Sequence, residues 1–235
     1  MTIADKHMQL SDNLYTYVRG AVAAFENVQE HGLAKWTDTV GGKTISGGMF
    51  RTSGNGFECS DKSDMNYQPV GATDVIPLIK SESTVEIAYS AGFKEPHENS
   101  YSQIIRLDSQ YDSQHYVRGF GDIRGACGSY GDFMGVVSYK GWIPFEEKVH
   151  LDQMLACNTV ALTFECETAT MYANGKYVCK FQVIGGNPSG IQLAKDKIFH
   201  SLRIYDKILS WSEIVRNANV DRRMFMQADI ERRTA

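Results

Sequence analysis

No CxxC pair occurs anywhere in the 235-residue chain, and its five cysteines (Cys59, Cys127, Cys157, Cys166 and Cys179) are scattered and odd in number. Metal-ligand spacing is therefore missing, and a disulfide framework using every cysteine is excluded within one chain. The expectation is five buried, reduced thiols. No apolar run approaches the roughly 20 residues needed to cross a bilayer, so membrane insertion is not expected. Met1–Asn13 lacks the positively charged start and apolar stretch of a secretory signal, which predicts folding in a reducing cytoplasm. Positive charge is also short: the formal net charge is −4. The one basic cluster, Arg216 to Arg233, is interleaved with Asp221, Asp229 and Glu231 and reads as a solvated helical face. Nucleic acid needs a clustered positive surface and is not the expected partner. No internal repeat, low-complexity tract or Pro/Ser-rich linker divides the chain.

What the chain does have is 43 % hydrophobic residues, 11 % aromatics and 21 glycines. That is enough for a sizeable core without disulfide staples, and it suits many short strands joined by tight turns. Strand-like runs are read at Val18–Phe25, Thr84–Ser90 (with Glu86 interrupting), Ser102–Leu107, His115–Phe120 and Phe133–Tyr139. The clearest passage is Thr159–Val183. Val160, Leu162 and Phe164 alternate there with Ala161, Thr163 and Glu165, the period of a half-buried strand. Asn174–Gly175 supplies the positive φ values of a two-residue type I′ turn. The predicted hairpin sets Tyr172 opposite Tyr177 and Thr170 opposite Cys179, with Tyr172, Tyr177, Cys179, Phe181 and Val183 facing the core. Lys197–Tyr205 forms a further strand with Ile198, Leu202 and Ile204 buried. Ser210-x-x-Glu213 is a capping box that predicts a short helix over Trp211–Asn217.

The C-terminal motif is the most distinctive. Met171-Tyr-Ala-Asn-Gly-Lys176, then Arg203-Ile-Tyr205, Leu209-Ser210, Glu213-Ile214, Asn219, Asp221 and Phe225 resemble in order the closing half of laminin-G-like, concanavalin A-type domains. Gly20–Glu26, Trp36-Thr-Asp38 and Gly41-Gly42 resemble the opening strand and "W-x-D-x-x-G" segment of the same family. The resemblance implies an all-β fold, a two-sheet antiparallel jelly-roll sandwich over residues 17–225, with one short helix near the C-terminus. Residues 1–16 are then an N-terminal arm and 226–235 a tail. Trp36 and Trp211 fall in motif positions and are expected to be structural. Such domains are common in bacterial surface proteins and in bacteriophage structural proteins. The fold hosts lectins, adhesion modules and glycosidases alike and does not select one function.

Catalysis is not expected. A retaining glycosidase needs two carboxyl groups about 5 Å apart across the bond, and relatives of this fold carry them in a pattern resembling E-x-D-x-x-E. The chain offers only Glu165-Cys166-Glu167, which should point to water, and the loop or strand-end pair Glu146-Glu147. No cofactor is called for. Calcium, bound at the rim by several relatives, could draw on Asp108, Asp112, Asp122 and Asp132. Aspartates accepting local backbone bonds in turns are the preferred reading there.

The surface predicted to bind ligand is the Gly- and Tyr-rich stretch from Asp108 to Trp142: Tyr111, Tyr116, Arg118, Tyr130 and Trp142. Exposed aromatic faces stack on sugars, and arginine holds hydroxyls or acidic groups; the same residue types dominate protein-binding hot spots. The overall expectation is a non-catalytic carbohydrate-binding or adhesion protein on a bacteriophage virion, assembled in the host cytoplasm. Its partners would be cell-surface or mucosal glycan and other virion proteins, and display in several copies predicts a homo-oligomer. The alternatives are a purely structural cement or fibre protein of the virion, and a bacterial lectin module.

Overall fold

The computed structural model describes residues 21–26, 35–38, 40–46, 50–53, 56–59, 67–70, 76–91, 105–108, 132–138, 141–150, 157–182, 190–194 and 197–233. Fifteen strands lie among them: β1 (Ala23–Glu26), β2 (Lys35–Thr37), β3 (Thr44–Ser46), β4 (Phe50–Ser53) and β5 (Gly56–Cys59). Then come β6 (Tyr67–Val70), β7 (Glu82–Ala91), β8 (Ile105–Asp108), β9 (Asp132–Ser138) and β10 (Gly141–His150). The last are β11 (Asn158–Glu165), β12 (Thr168–Ala173), β13 (Lys176–Gln182), β14 (Gly190–Ala194) and β15 (Lys197–Tyr205), followed by helix α1 (Trp211–Arg233). Of the predicted strands, His115–Phe120 lies outside the described residues, and Val18–Phe25 is described only from residue 21 on, where β1 begins at Ala23.

Every strand pairing is antiparallel. The large sheet runs β13-β12-β11-β7-β15-β5-β4, with β1 also on β15. Alternation dictates its two faces. Val85, Ile87 and Tyr89 of β7, Val160, Leu162 and Phe164 of β11, and Leu202 and Ile204 of β15 point inward. They meet Leu193 of the β6-β14-β8 sheet and Trp36 and Ile45 of the β2-β3 pair. Full burial of each such side chain contributes roughly 1.5–3 kcal/mol.

The opposite face carries α1. Ala161 and Tyr205 pack there with Leu209 and Ile214, and Ala88 and Cys157 pack with Phe225. The expected burial of Ile198, Leu202 and Ile204 is observed. The capping box forms as well: Ser210 N donates to Glu213 Oε2 at 2.8 Å, and Glu213 N donates to Ser210 Oγ at 3.4 Å. Lys207, donating to Glu213 Oε1 at 2.8 Å, and then the capping contacts pull the Glu213 carboxyl down to about 2. The helix they start is longer than the predicted Trp211–Asn217, continuing to Arg233. Its second half keeps a buried anchor in Phe225, stacked on His200 at 5.0 Å, and meets no proline.

The W-x-D-x-x-G segment is a turn built around one carboxylate. Asp38 accepts from the backbone amides of Ala24, Val40, Gly41 and Lys43 at 2.7–3.3 Å. Gly42 supplies the positive φ of +69°. Trp36 stacks on Phe57 at 5.4 Å, the structural role expected of it.

The 174–175 hairpin forms with Asn174 at φ 49° and Gly175 at φ 78°, and Tyr172 faces Tyr177 as predicted. Beyond that pair the register shifts, so Met171, not Thr170, opposes Cys179. The extra residue is Val178, and this bulge reverses the face on which its neighbours lie. Phe181 is buried in the core and Cys179 packs against it, whereas Tyr177 turns outward and is 59 % exposed. Tyr172 is likewise on the helix side, packed on the outer cluster. The predicted core position of both tyrosines is therefore corrected. Val183, the last residue of that predicted face, lies outside the described residues.

Candidate functional site

The outer face of the large sheet holds a buried ionic cluster. Cross-strand pairing sets Glu86 of β7 opposite Arg203 of β15, so both side chains leave the sheet on the helix side. Arg203 donates from Nε and Nη2 to Glu86 Oε2 at 3.2 and 3.1 Å. From Nη1 and Nη2 it grips both oxygens of Asp221, on α1, at 2.6 Å. Ser201 Oγ accepts from Nη1 at 3.0 Å. Asn217 donates to Glu86 Oε2 at 2.8 Å and to the Tyr205 hydroxyl at 3.2 Å. Arg203 is fully buried, so its desolvation must be offset by this planar, bidentate geometry.

One guanidinium faces two carboxylates here. Burial pushes the Glu86 carboxyl up; Arg203 opposes that shift and Asp221 adds to it. Burial also raises the Tyr205 hydroxyl and the Cys157 thiol. A cavity of about 10 Å³ lies beside Glu86, Arg203 and Asp221, about the space of one water. Both carboxylates are held on Arg203, and the cluster ties the helix to the sheet. It gives the R-I-Y…N-x-D motif a structural meaning: Arg203, Tyr205 and Asp221 are its members, and Asn217 joins them.

Glu165 and Glu167 flank the turn between β11 and β12 and are exposed, as expected. Glu165 lies 3.8 Å from Lys180, with both side chains more than half exposed. Cys166, in the same turn, is free and exposed with φ 52°, which corrects the expectation that every thiol is buried. Cys157 is free and buried, and Cys179 is free and half-buried. Glu146 and Glu147, expected in a loop or at a strand end, lie within β10, in the stretch where its register with β9 shifts between Pro144 and Val149.

Of the residues predicted to bind ligand, Tyr111, Tyr116, Arg118 and Tyr130 lie outside the described residues. Trp142 is on β10, its backbone paired with Val137 of β9. Asp108 ends β8 and Asp132 begins β9, while Asp112 and Asp122 lie outside the described residues. Among the described residues, no group of three or more His, Cys, Asp or Glu is arranged to hold a metal ion.

The structure brings together a different set of aromatics, around the 174–175 turn. Tyr172 and Tyr177 meet edge to face, with ring centroids 6.2 Å apart and planes at 80°. Burial, with Tyr177 adding, raises the Tyr172 hydroxyl and keeps it protonated. Trp211, the first residue of α1, donates its indole N–H to Gly175 O at 3.0 Å yet stays 63 % exposed. It is thus both a structural tie, as expected, and a surface ring. The turn is seated directly on the helix: a Cβ at Gly175 would lie 3.2 Å from Val215 Cα. Sequence reasoning missed this group because the bulge at Val178 is invisible to period-2 counting. The available signal was Trp211 itself, an aromatic at the first position of the helix that the Ser210–Glu213 capping box starts.

No family model matches the chain, and no curated protein matches it. Solved structures do. Trypanosoma rangeli sialidase aligns over 90 % of this chain and 33 % of its own, with a TM-score of 0.55 and 14 % identity. A structure of botulinum neurotoxin type C, which depends on interaction with two ganglioside molecules to enter cells, aligns over 88 % of this chain and 53 % of its own (TM-score 0.57, 13 % identity). The serotype D binding domain aligns over 86 % and 52 % (TM-score 0.54, 14 % identity). The chain thus spans about a third of the sialidase and about half of the toxin chains. These likenesses establish the concanavalin A-like sandwich as its fold.

Proposed function

We propose that this chain is a non-catalytic carbohydrate-binding protein that attaches to surface glycans. The observation that carries this reading is the shared sandwich with the type C toxin, a protein that interacts with ganglioside, over 88 % of the chain. The rigidly held aromatic surface supports it, since tyrosine and tryptophan offer large contact area at little entropic cost. The non-catalytic part is supported by Glu86 and Asp221, both buried and held on Arg203, and by a sequence with no E-x-D-x-x-E pattern. Screening the full chain on a glycan array tests the reading. Selective binding supports it, and an array with no signal above an unrelated protein overturns it. A fluorogenic sialoside, incubated with the protein, should release no product.

The setting proposed is the surface of a bacteriophage particle, displayed in several copies so that weak single sites act together. The free thiols of Cys157, Cys166 and Cys179 support folding in a reducing compartment. Mass spectrometry of purified particles tests the setting, and light scattering of the isolated protein tests the homo-oligomer. Presence on the particle without glycan binding would favour a cement or fibre role.

A further inference from the structure

We infer that the aromatic group at the 174–175 turn is a pyranose-binding site, in which a sugar ring lies against Tyr177 and Trp211 with Tyr172 behind them. The inference rests on the carbohydrate-binding reading and gives it a place outside the Asp108–Trp142 stretch. Four large hydrophobic side chains are exposed among the described residues, and the two aromatic ones, Tyr177 at 59 % and Trp211 at 63 %, both stand at this turn. An exposed indole is ordinarily free to change rotamer. Here its N–H is committed to Gly175 O, and that carbonyl is fixed because the turn is packed on Val215 and Ala218. Tyr177 is held edge-on by Tyr172. Both ring faces are therefore organised before any ligand arrives, which lowers the entropy lost on binding.

The kind of ligand follows from the carbohydrate-binding reading. Lys176, Ser210 and Ser212, next in sequence to Tyr177 and Trp211, are exposed and add hydrogen-bonding groups to this stretch of surface. A pyranose has matching chemistry: one face of C–H groups to lie on the rings, and a perimeter of hydroxyls for the Tyr172 and Tyr177 hydroxyls, the serines and the lysine. A small site of this type binds weakly alone, in keeping with display in several copies.

The test uses the full chain, a glycan array, and lactose and sialyllactose as soluble probes read by saturation-transfer NMR. Tyr177→Ala and Trp211→Ala should each weaken binding by about tenfold or more, as aromatic hot spots do, while Tyr177→Phe and Trp211→Phe retain most of it. Tyr177 is mostly exposed, so Tyr177→Ala should leave the unfolding midpoint unchanged even if Trp211→Ala lowers it. Wild-type binding that survives both alanine substitutions would overturn the site and leave the carbohydrate reading standing. Wild-type protein that binds neither probe and nothing on the array would remove that reading, and the site with it.

Discussion

Replacing Asp221 by Ala should cost this fold far more than any exposed ion pair. Asp221 is 1 % exposed and accepts from both terminal nitrogens of Arg203 at 2.6 Å. Truncation leaves a fully buried guanidinium with Glu86 and Ser201 as its remaining side-chain partners among the contacts described above, and it cuts the ionic tie between α1 and the sheet. Removing one partner of such a pair costs about 3–5 kcal/mol. For a chain of this length the melting temperature should fall by about 6–20 °C, at about 2–4 °C per kcal/mol. The assay is urea unfolding followed by far-ultraviolet circular dichroism, repeated for Arg203→Met and for the double variant. The cycle should show strong coupling, and the double variant should recover part of the loss: the buried guanidinium is gone, and Glu86, without Arg203 to oppose the effect of burial, is left to take up a proton. A single Asp221→Ala variant within about 1 kcal/mol of wild type, the worth of a solvent-exposed pair, would refute the reasoning.

Glu86→Gln tests the surplus carboxylate. Its folded pKa is above the ordinary value of 4.5, so the folded state holds the proton longer than the unfolded one. Wild-type stability relative to Glu86→Gln should therefore be fullest below that value and fall as pH rises through the folded pKa; parallel pH profiles from urea titrations would contradict this. Gly175→Ala combines a positive φ of +78° with a 3.2 Å approach to Val215 Cα, and should destabilise by more than ~1 kcal/mol, the reverse of a glycine replacement at a compatible φ, read as a lower melting temperature. Cys166 is exposed whereas burial raises the Cys157 thiol and pushes Cys179 up to about 12. A colorimetric thiol reagent on native protein should lose one fast-reacting group in Cys166→Ser, and an unchanged count would place that thiol wrongly.

Local rules were enough to read β11, the Asn174–Gly175 turn and the capped start of α1, because each depends on residues a few positions apart. The Val178 bulge was not legible: a single inserted residue flips Tyr177 from core to surface without changing the alternation of types on either side. Glu86 looked like an interruption in an apolar strand because its partner Arg203 is 117 residues away. The length of α1 was hidden for a related reason. Asp221 reads as a solvent-facing charge until Arg203, 18 residues earlier, is seen beneath it. The aromatic site was missed where the motif assigned Trp211 to structure alone, although an indole can make one backbone bond and keep most of its face exposed.

Attachment of the purified protein to cells before and after mild periodate treatment tests the central claim most directly, because periodate cleaves the vicinal diols of surface sugars and leaves most protein structure intact. The account predicts attachment to untreated cells, inhibited by excess soluble glycan, and its loss after oxidation. Attachment that is equal on treated and untreated cells would show that the partner is not a carbohydrate.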